Sequence, residues 1–235
     1  MGKLIYTLSV VACLLSCAKG YKIVGTSSIQ DFNGKTITLK ASDGNTWHVL
    51  DSCEVLHGQF VMKGKIDSTL LTTLFIDDQP MMPMVLESGK IGITVSNIML
   101  KAEGTPLNDS LYKFIAHKYK LDLRVFGLEH TEAQMIMNGY DEATIQRHID
   151  STYMTLRNEM HSLVLDFIGK NYDNVLSICG FSMLCNGLPY PTITPLIQAV
   201  IDDAPETFLT HPIISSYLDI AHENTERYGV ADANY

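Results

Sequence analysis

The chain has 235 residues, of which 46% are apolar and 18% charged, with a formal net charge of −9 at neutral pH. These proportions suit a packed globular protein of one large or two small domains and exclude a disordered stalk. The acid is scattered and no basic run occurs, which argues against nucleic acid as a partner and against anionic membrane surfaces as the main target.

The first residues read as an address rather than as part of the fold. Lys3 supplies a positive charge, Leu4 to Leu15 form a short apolar run, and Leu14-Leu15-Ser16-Cys17 follows. A bilayer span needs about 20 apolar residues, so this run reads as an export signal. The tetrapeptide looks like a bacterial lipobox. Residues 1–16 are expected to be removed, Cys17 to carry the lipid, and residues 17–20 to form a short tether. Ala18 follows with no acidic run behind it, which points to an outer membrane lipoprotein facing the periplasm.

From Tyr21 to about Glu103 the apolar pattern has period two. Ile37 and Leu39 share a face, and Trp47 and Val49 alternate with Thr46 and His48. Phe60, Met62, Gly64 and Ile66 alternate, as do Ile91, Ile93 and Val95. Asn33-Gly34, Asp43-Gly44, His57-Gly58 and Ser88-Gly89 supply the turns between them. Residues 21–103 are therefore expected to form an antiparallel β-sandwich of about seven to eight short strands. The period then changes, and residues 104–227 are expected to form a helical region of about five helices, making the fold α+β.

Thr105-Pro106 opens the first helix as N-cap and first helical residue. Leu107, Leu111, Phe114, Ile115 and Lys118 follow helical spacing. Residues 123–140 have no clear period and read as a loop across the surface. Asp141 is expected to cap a long helix striped by Ile145, Ile149, Tyr153, Leu156, Met160, Leu163 and Phe167. Arg147, Asp150, Arg157, Glu159 and Asp166, off that stripe, are charged. Val175 to Leu184 is apolar all round and reads as the buried helix, stopped by Asn186-Gly187. Thr194-Pro195 and His211-Pro212 open two shorter helices, and a carboxylate of Asp202-Asp203 is placed to cap another. Residues 228–235 read as a tail.

The search for chemistry is largely negative. No glycine-rich phosphate loop and no HExxH occur, and Gly180-Phe-Ser-Met-Leu184 lacks the second glycine of a nucleophile elbow. His148 and His161 lie several turns apart on one helix and read as solvated or capping histidines. No metal, cofactor or catalytic residue is expected. Besides Cys13 in the signal and Cys17, three cysteines remain: Cys53, Cys179 and Cys185. An oxidising compartment allows them one disulfide and one leftover thiol, but their apolar neighbours favour plain core cysteine. Six helical residues rise about 9 Å, beyond the roughly 7 Å a disulfide tolerates, so Cys179 and Cys185 are not expected to bond.

The stretches Tyr21-Lys-Ile-Val-Gly25, Gly34-Lys-Thr-Ile-Thr-Leu39 and Asp51-Ser-Cys-Glu-Val-Leu-His-Gly-Gln-Phe60 form a recognisable series. Gly64, Leu86-Glu-Ser-Gly89, Ile93-Thr-Val95, Gly104 and Asn108-Asp-Ser-Leu111 continue it. Over about residues 21–115 the chain resembles a domain-of-unknown-function family found N-terminal to thioredoxin-like, peroxiredoxin-type domains in lipoproteins of anaerobic Gram-negative bacteria. The resemblance implies an accessory role. The catalytic CxxC of such relatives does not occur up to Tyr235, so their redox activity is not expected here. The reading is a non-catalytic, lipid-anchored module that binds an envelope protein or a small ligand. The alternative is a thiol-redox accessory that offers Cys53, Cys179 or Cys185 to a separate thioredoxin-like partner.

Overall fold

A computed structural model describes residues 19–44 and 46–228. The signal segment, Cys17 and residues 229–235 lie outside the described residues. Tyr228, read above as the start of the tail, is the last residue of the final helix.

Eight strands come first: β1 (Lys19–Ser27), β2 (Thr36–Ser42), β3 (Trp47–Glu54), β4 (Gln59–Ile66), β5 (Leu70–Ile76), β6 (Gln79–Leu86), β7 (Gly89–Val95) and β8 (Leu100–Glu103). They form two four-stranded sheets, ordered β4-β1-β7-β8 and β3-β2-β5-β6. The turn glycines Gly34, Gly44, Gly58 and Gly89 all take positive φ, as the dipeptides predict. Ile37, Leu39, Phe60, Met62, Ile91, Ile93 and Val95 are buried between the sheets. Among the described strands one pairing is parallel, β1 with β7, in register from Tyr21 beside Gly89 to Ser27 beside Val95. Parallel neighbours need a long connection. Here the whole second sheet, threaded between β1 and β7, supplies it.

Alternation fails in one place. Trp47 and Val49 are 52% and 62% exposed, not buried. The β2–β3 register slips between Leu39 beside Asp51 and Lys40 beside Val49, leaving Leu50 as the extra residue of a bulge. One inserted residue turns the rest of the strand over. Trp47 and Val49 therefore share the outer face with Lys40. There Trp47 meets the Phe75 ring edge-on at 5.1 Å, and Lys40 Nζ lies 4.4 Å from the centre of that ring.

Among the described residues six α-helices follow: α1 (Pro106–Met137), α2 (Glu142–Gly169), α3 (Val175–Cys185), α4 (Pro195–Asp202), α5 (Glu206–Leu209) and α6 (Pro212–Tyr228). Residues 123–137 are not a loop but the second half of α1. Their Leu, Arg, Glu, Gln and Met are good helix formers, and α2 packs alongside. Arg124 Nη1 reaches Glu159 Oε2 of α2 at 2.7 Å. Asp141 caps α2, accepting from the Thr144 N–H at 3.0 Å. Of the α2 stripe, Ile145, Leu156 and Phe167 are buried, while Tyr153 at its outer edge is exposed. The Asp202-Asp203 carboxylates do not cap α5: its N-cap is Pro205, with no side-chain cap bond. Asp202 instead accepts from Gln198 Nε2 one turn earlier. No described helix is long and apolar enough to cross a membrane.

Candidate functional site

The three thiols are not brought together as a working group. Cys53 lies half-buried in β3, whereas Cys179 and Cys185 lie on α3, and all three are free. Burial pushes the Cys179 thiol up to about 12. Burial does the same for Cys185, also to about 12, partly offset by its side-chain interaction with Tyr217. Cys53 is raised as well, again chiefly by burial. Thiols so placed are poor nucleophiles at neutral pH. Among the described residues, no three of His, Cys, Asp and Glu converge on a metal-sized site.

The residues that carry the family resemblance turn out to build the fold. Tyr21 stands opposite Gly64, and Phe60 opposite Gly25, in the β1–β4 ladder. A Cβ on Gly25 would lie 1.9 Å from the Phe60 ring, and one on Gly64 would lie 2.6 Å from the Tyr21 ring. Each aromatic ring thus covers the glycine across from it. The Tyr21 hydroxyl donates to Asp51 Oδ2 at 2.8 Å, a bond that reaches from one sheet to the other.

A second group fastens α1 to the sandwich. Asn108 is fully buried, and its amide behaves like an extra strand residue against β6. The Val85 N–H donates to Asn108 Oδ1 at 2.9 Å. Asn108 Nδ2 donates to the Val85 carbonyl at 2.7 Å and to Thr105 Oγ1 at 2.9 Å. Glu87 Oε1 accepts from the Leu107 and Asn108 N–H groups at 2.9 and 3.2 Å, a carboxylate set at a helix N-terminus. Thr105 is the N-cap, as predicted, but its side chain makes no cap bond. Gly104 holds a φ of +94°, and a Cβ there would lie 2.9 Å from the Lys90 carbonyl. Asn108, Glu87 and Gly104 belong to the motif series, but their roles depend on partners far away in the chain.

This fastening sets the direction of α1. It runs along β6, where the Tyr112 hydroxyl donates to the Pro83 carbonyl at 2.8 Å, and passes the end of the sandwich at Tyr119. An open groove of about 630 Å³ lies there, lined by Phe32, Met81, Ile98, Met99, Tyr112 and Tyr119 among others. Ile98, in the turn between β7 and β8, is 96% exposed. Leu123 and Phe126 continue the Tyr119 face at helical spacing, at 50% and 76% exposure. Beyond Tyr119, α1 runs on for roughly 27 Å, and its other side packs on α2. Tyr119 precedes the stretch 123–140 expected as a loop, and Leu123 and Phe126 fall inside it, so the spacing of the three crosses that boundary.

His161, expected to be solvated or capping, is partly withdrawn from solvent, and so is Arg157 beside it. Arg157 and His161, one turn apart on α2, are half-buried and line a small pocket between α1, α2 and α3. Burial, and then the Arg157 charge, hold His161 below the usual imidazole range. His148 is exposed, as expected.

Residues 21–111 match a protein family described as a domain of unknown function, DUF4369. The matched segment runs through β8 into α1 and ends at Leu111, just past the Asn108 fastening. This explains why the family unit includes the first turns of a helix: those turns are hydrogen-bonded into the sandwich. No curated protein matches the chain.

Proposed function

We propose that the chain is a non-catalytic binding module of the cell envelope, tethered by a lipid on Cys17 at the periplasmic face of the outer membrane, and that it docks a partner protein on the face formed by Ile98, Met99, Tyr119, Leu123 and Phe126. The observation that carries this is the exposure of that continuous apolar face, rare in a protein that acts alone. Topology adds a second support. The β1 strand starts at Lys19, two residues after Cys17, and ends at Ser27, where the next residue, Ser28, donates to the Val95 carbonyl. Ile98 is three residues beyond Val95, so the face lies at the end of the sandwich away from the tether. A lipid at Cys17 leaves it free to meet a partner.

The alternative, a thiol-redox accessory, gains little from Cys53, Cys179 and Cys185, since burial raises all three thiols. Two measurements test the reading. Cys17→Ala protein is expected in the soluble envelope fraction; wild-type membrane association of that variant would remove the tether. A photo-crosslinking residue placed at Ile98 or Phe126 in cells is expected to trap a discrete partner. The same probe at Lys63, exposed on the distant β4 edge, is expected to trap none. Equal or absent trapping at all three sites would end the docking-face reading.

A further inference from the structure

The pocket beside Arg157 is separate from the apolar face, and its chemistry is more specific. Its volume is about 260 Å³. Phe114, Met160, Val164, Leu184 and Leu188 make its walls apolar, and no acidic side chain lines it. Three basic residues reach it, and they are not equivalent. Lys118 Nζ is 2.8 Å from Asp122 Oδ2, one turn on, so its charge is already matched. His161, held down by burial and by Arg157, stays neutral at pH 7. Arg157 is left. Its Nε is buried without a hydrogen-bond partner, its Nη groups open outwards rather than lying buried, and no described residue accepts from the guanidinium. A buried donor without an acceptor destabilises the fold, and more so when charged. Such a group in an apolar recess is poised for an anion.

We propose that this pocket binds a small monocarboxylate with an aliphatic tail, the carboxylate on the Arg157 guanidinium and the tail against Met160, Leu184 and Leu188. The guanidinium fork matches a carboxylate or a phosphate in geometry. Charge decides between them. One uncompensated cation neutralises one negative charge, whereas a phosphate monoester carries about −1.5 to −2 at pH 7. The excess would be stranded among apolar walls. An uncharged alcohol would fill the walls and leave the guanidinium unpaired. Size sets the length of the tail. At about 30 Å³ per water, the pocket volume corresponds to about nine water-sized atoms, the scale of hexanoate rather than of a long-chain fatty acid.

The test is calorimetric titration of the purified protein at pH 7 with hexanoate, hexan-1-ol, acetate and inorganic phosphate, each paired with a melting curve. Hexanoate is expected to bind saturably at one site and to raise the melting temperature. The other three are expected to bind at least tenfold more weakly. Arg157→Gln is expected to weaken hexanoate at least tenfold while leaving the melting temperature of the ligand-free protein unchanged or slightly raised, because the change breaks no polar bond and removes a buried donor that has no acceptor. Leu188→Trp keeps Arg157 and fills the cavity; it is expected to abolish hexanoate binding, and it carries the test should the Arg157 variant fold poorly. Absence of hexanoate binding would overturn the proposal. So would equal affinity for hexan-1-ol or phosphate, or hexanoate affinity that either folded variant retains. None of these results bears on the Ile98 face, whose crosslinking test stands by itself.

Discussion

Asn108 offers the sharpest test of how the two halves are joined. Its side chain satisfies both backbone groups of Val85, a residue with no exposed surface, and also bonds Thr105. Asn108→Ala orphans the Val85 N–H and carbonyl where water cannot reach. Each orphaned group costs about 1–3 kcal/mol, so the pair should cost about 2–5 kcal/mol after partial relaxation. That is a large share of a total stability of about 5–15 kcal/mol. With a urea m-value of about 3 kcal/mol/M, the unfolding midpoint should drop by about 0.7–1.7 M. Asn108→Asp should be at least as damaging at pH 7. Its carboxylate accepts from the Val85 N–H but turns a negative oxygen towards the Val85 carbonyl, close to Glu87. Protonation would restore a donor. The folded state therefore raises the pKa of the new carboxyl, and the deficit of Asn108→Asp should shrink as pH falls through that raised value, while the deficit of Asn108→Ala stays put. Urea titrations followed by far-UV circular dichroism at pH 7 and pH 5 measure both. A midpoint for Asn108→Ala within about 0.2 M of wild type would refute the claim that this amide fastens α1 to the sandwich.

Three further outcomes are expected. Leu156→Asp places a carboxylate at a position only 1% exposed and should remove about 4 kcal/mol or more, enough to melt the helical layer in a thermal scan; an unchanged melting temperature would contradict the packing of α2. The folded state holds His161 down through burial and then the Arg157 charge, and His211 through burial, so both favour the neutral form relative to the unfolded chain. Their stabilisation is present above about pH 6.5 and is lost as pH falls below it. The melting temperature should decline from pH 7.5 to 5, and less so in a His161→Gln, His211→Gln double variant; identical slopes would count against the assignment. Disulfide-exchange labelling of folded protein should leave Cys179 and Cys185 unreacted on a timescale of minutes and accelerate only with denaturant, whereas reaction within seconds at neutral pH would restore the thiol-redox alternative.

Local pattern alone determined much of this protein. Period two gave the strands of the sandwich, because alternate side chains point to opposite faces whatever the sheet order. Thr105-Pro106, Asp141 and Thr194-Pro195 marked three helix starts, since a capping side chain or a proline at the first helical position acts within one turn of its own position. The glycine turns were equally local, as positive φ is a property of a single residue. What failed to show in the sequence depends on partners distant along the chain. Residues 123–137 lacked a clean stripe because that half of α1 packs on one side and exposes a second apolar side. Trp47 and Val49 were turned outwards by the bulge at Leu50, a register slip that alternation cannot register. Arg157 and His161 fell on the polar side of the α2 stripe, and only the approach of α1 and α3 closed a pocket over them. The parallel pairing of β1 with β7 and the hold of Asn108 on Val85 belong to the same class: each joins residues far apart in the chain, so folding had to bring the pair together before either could have a function.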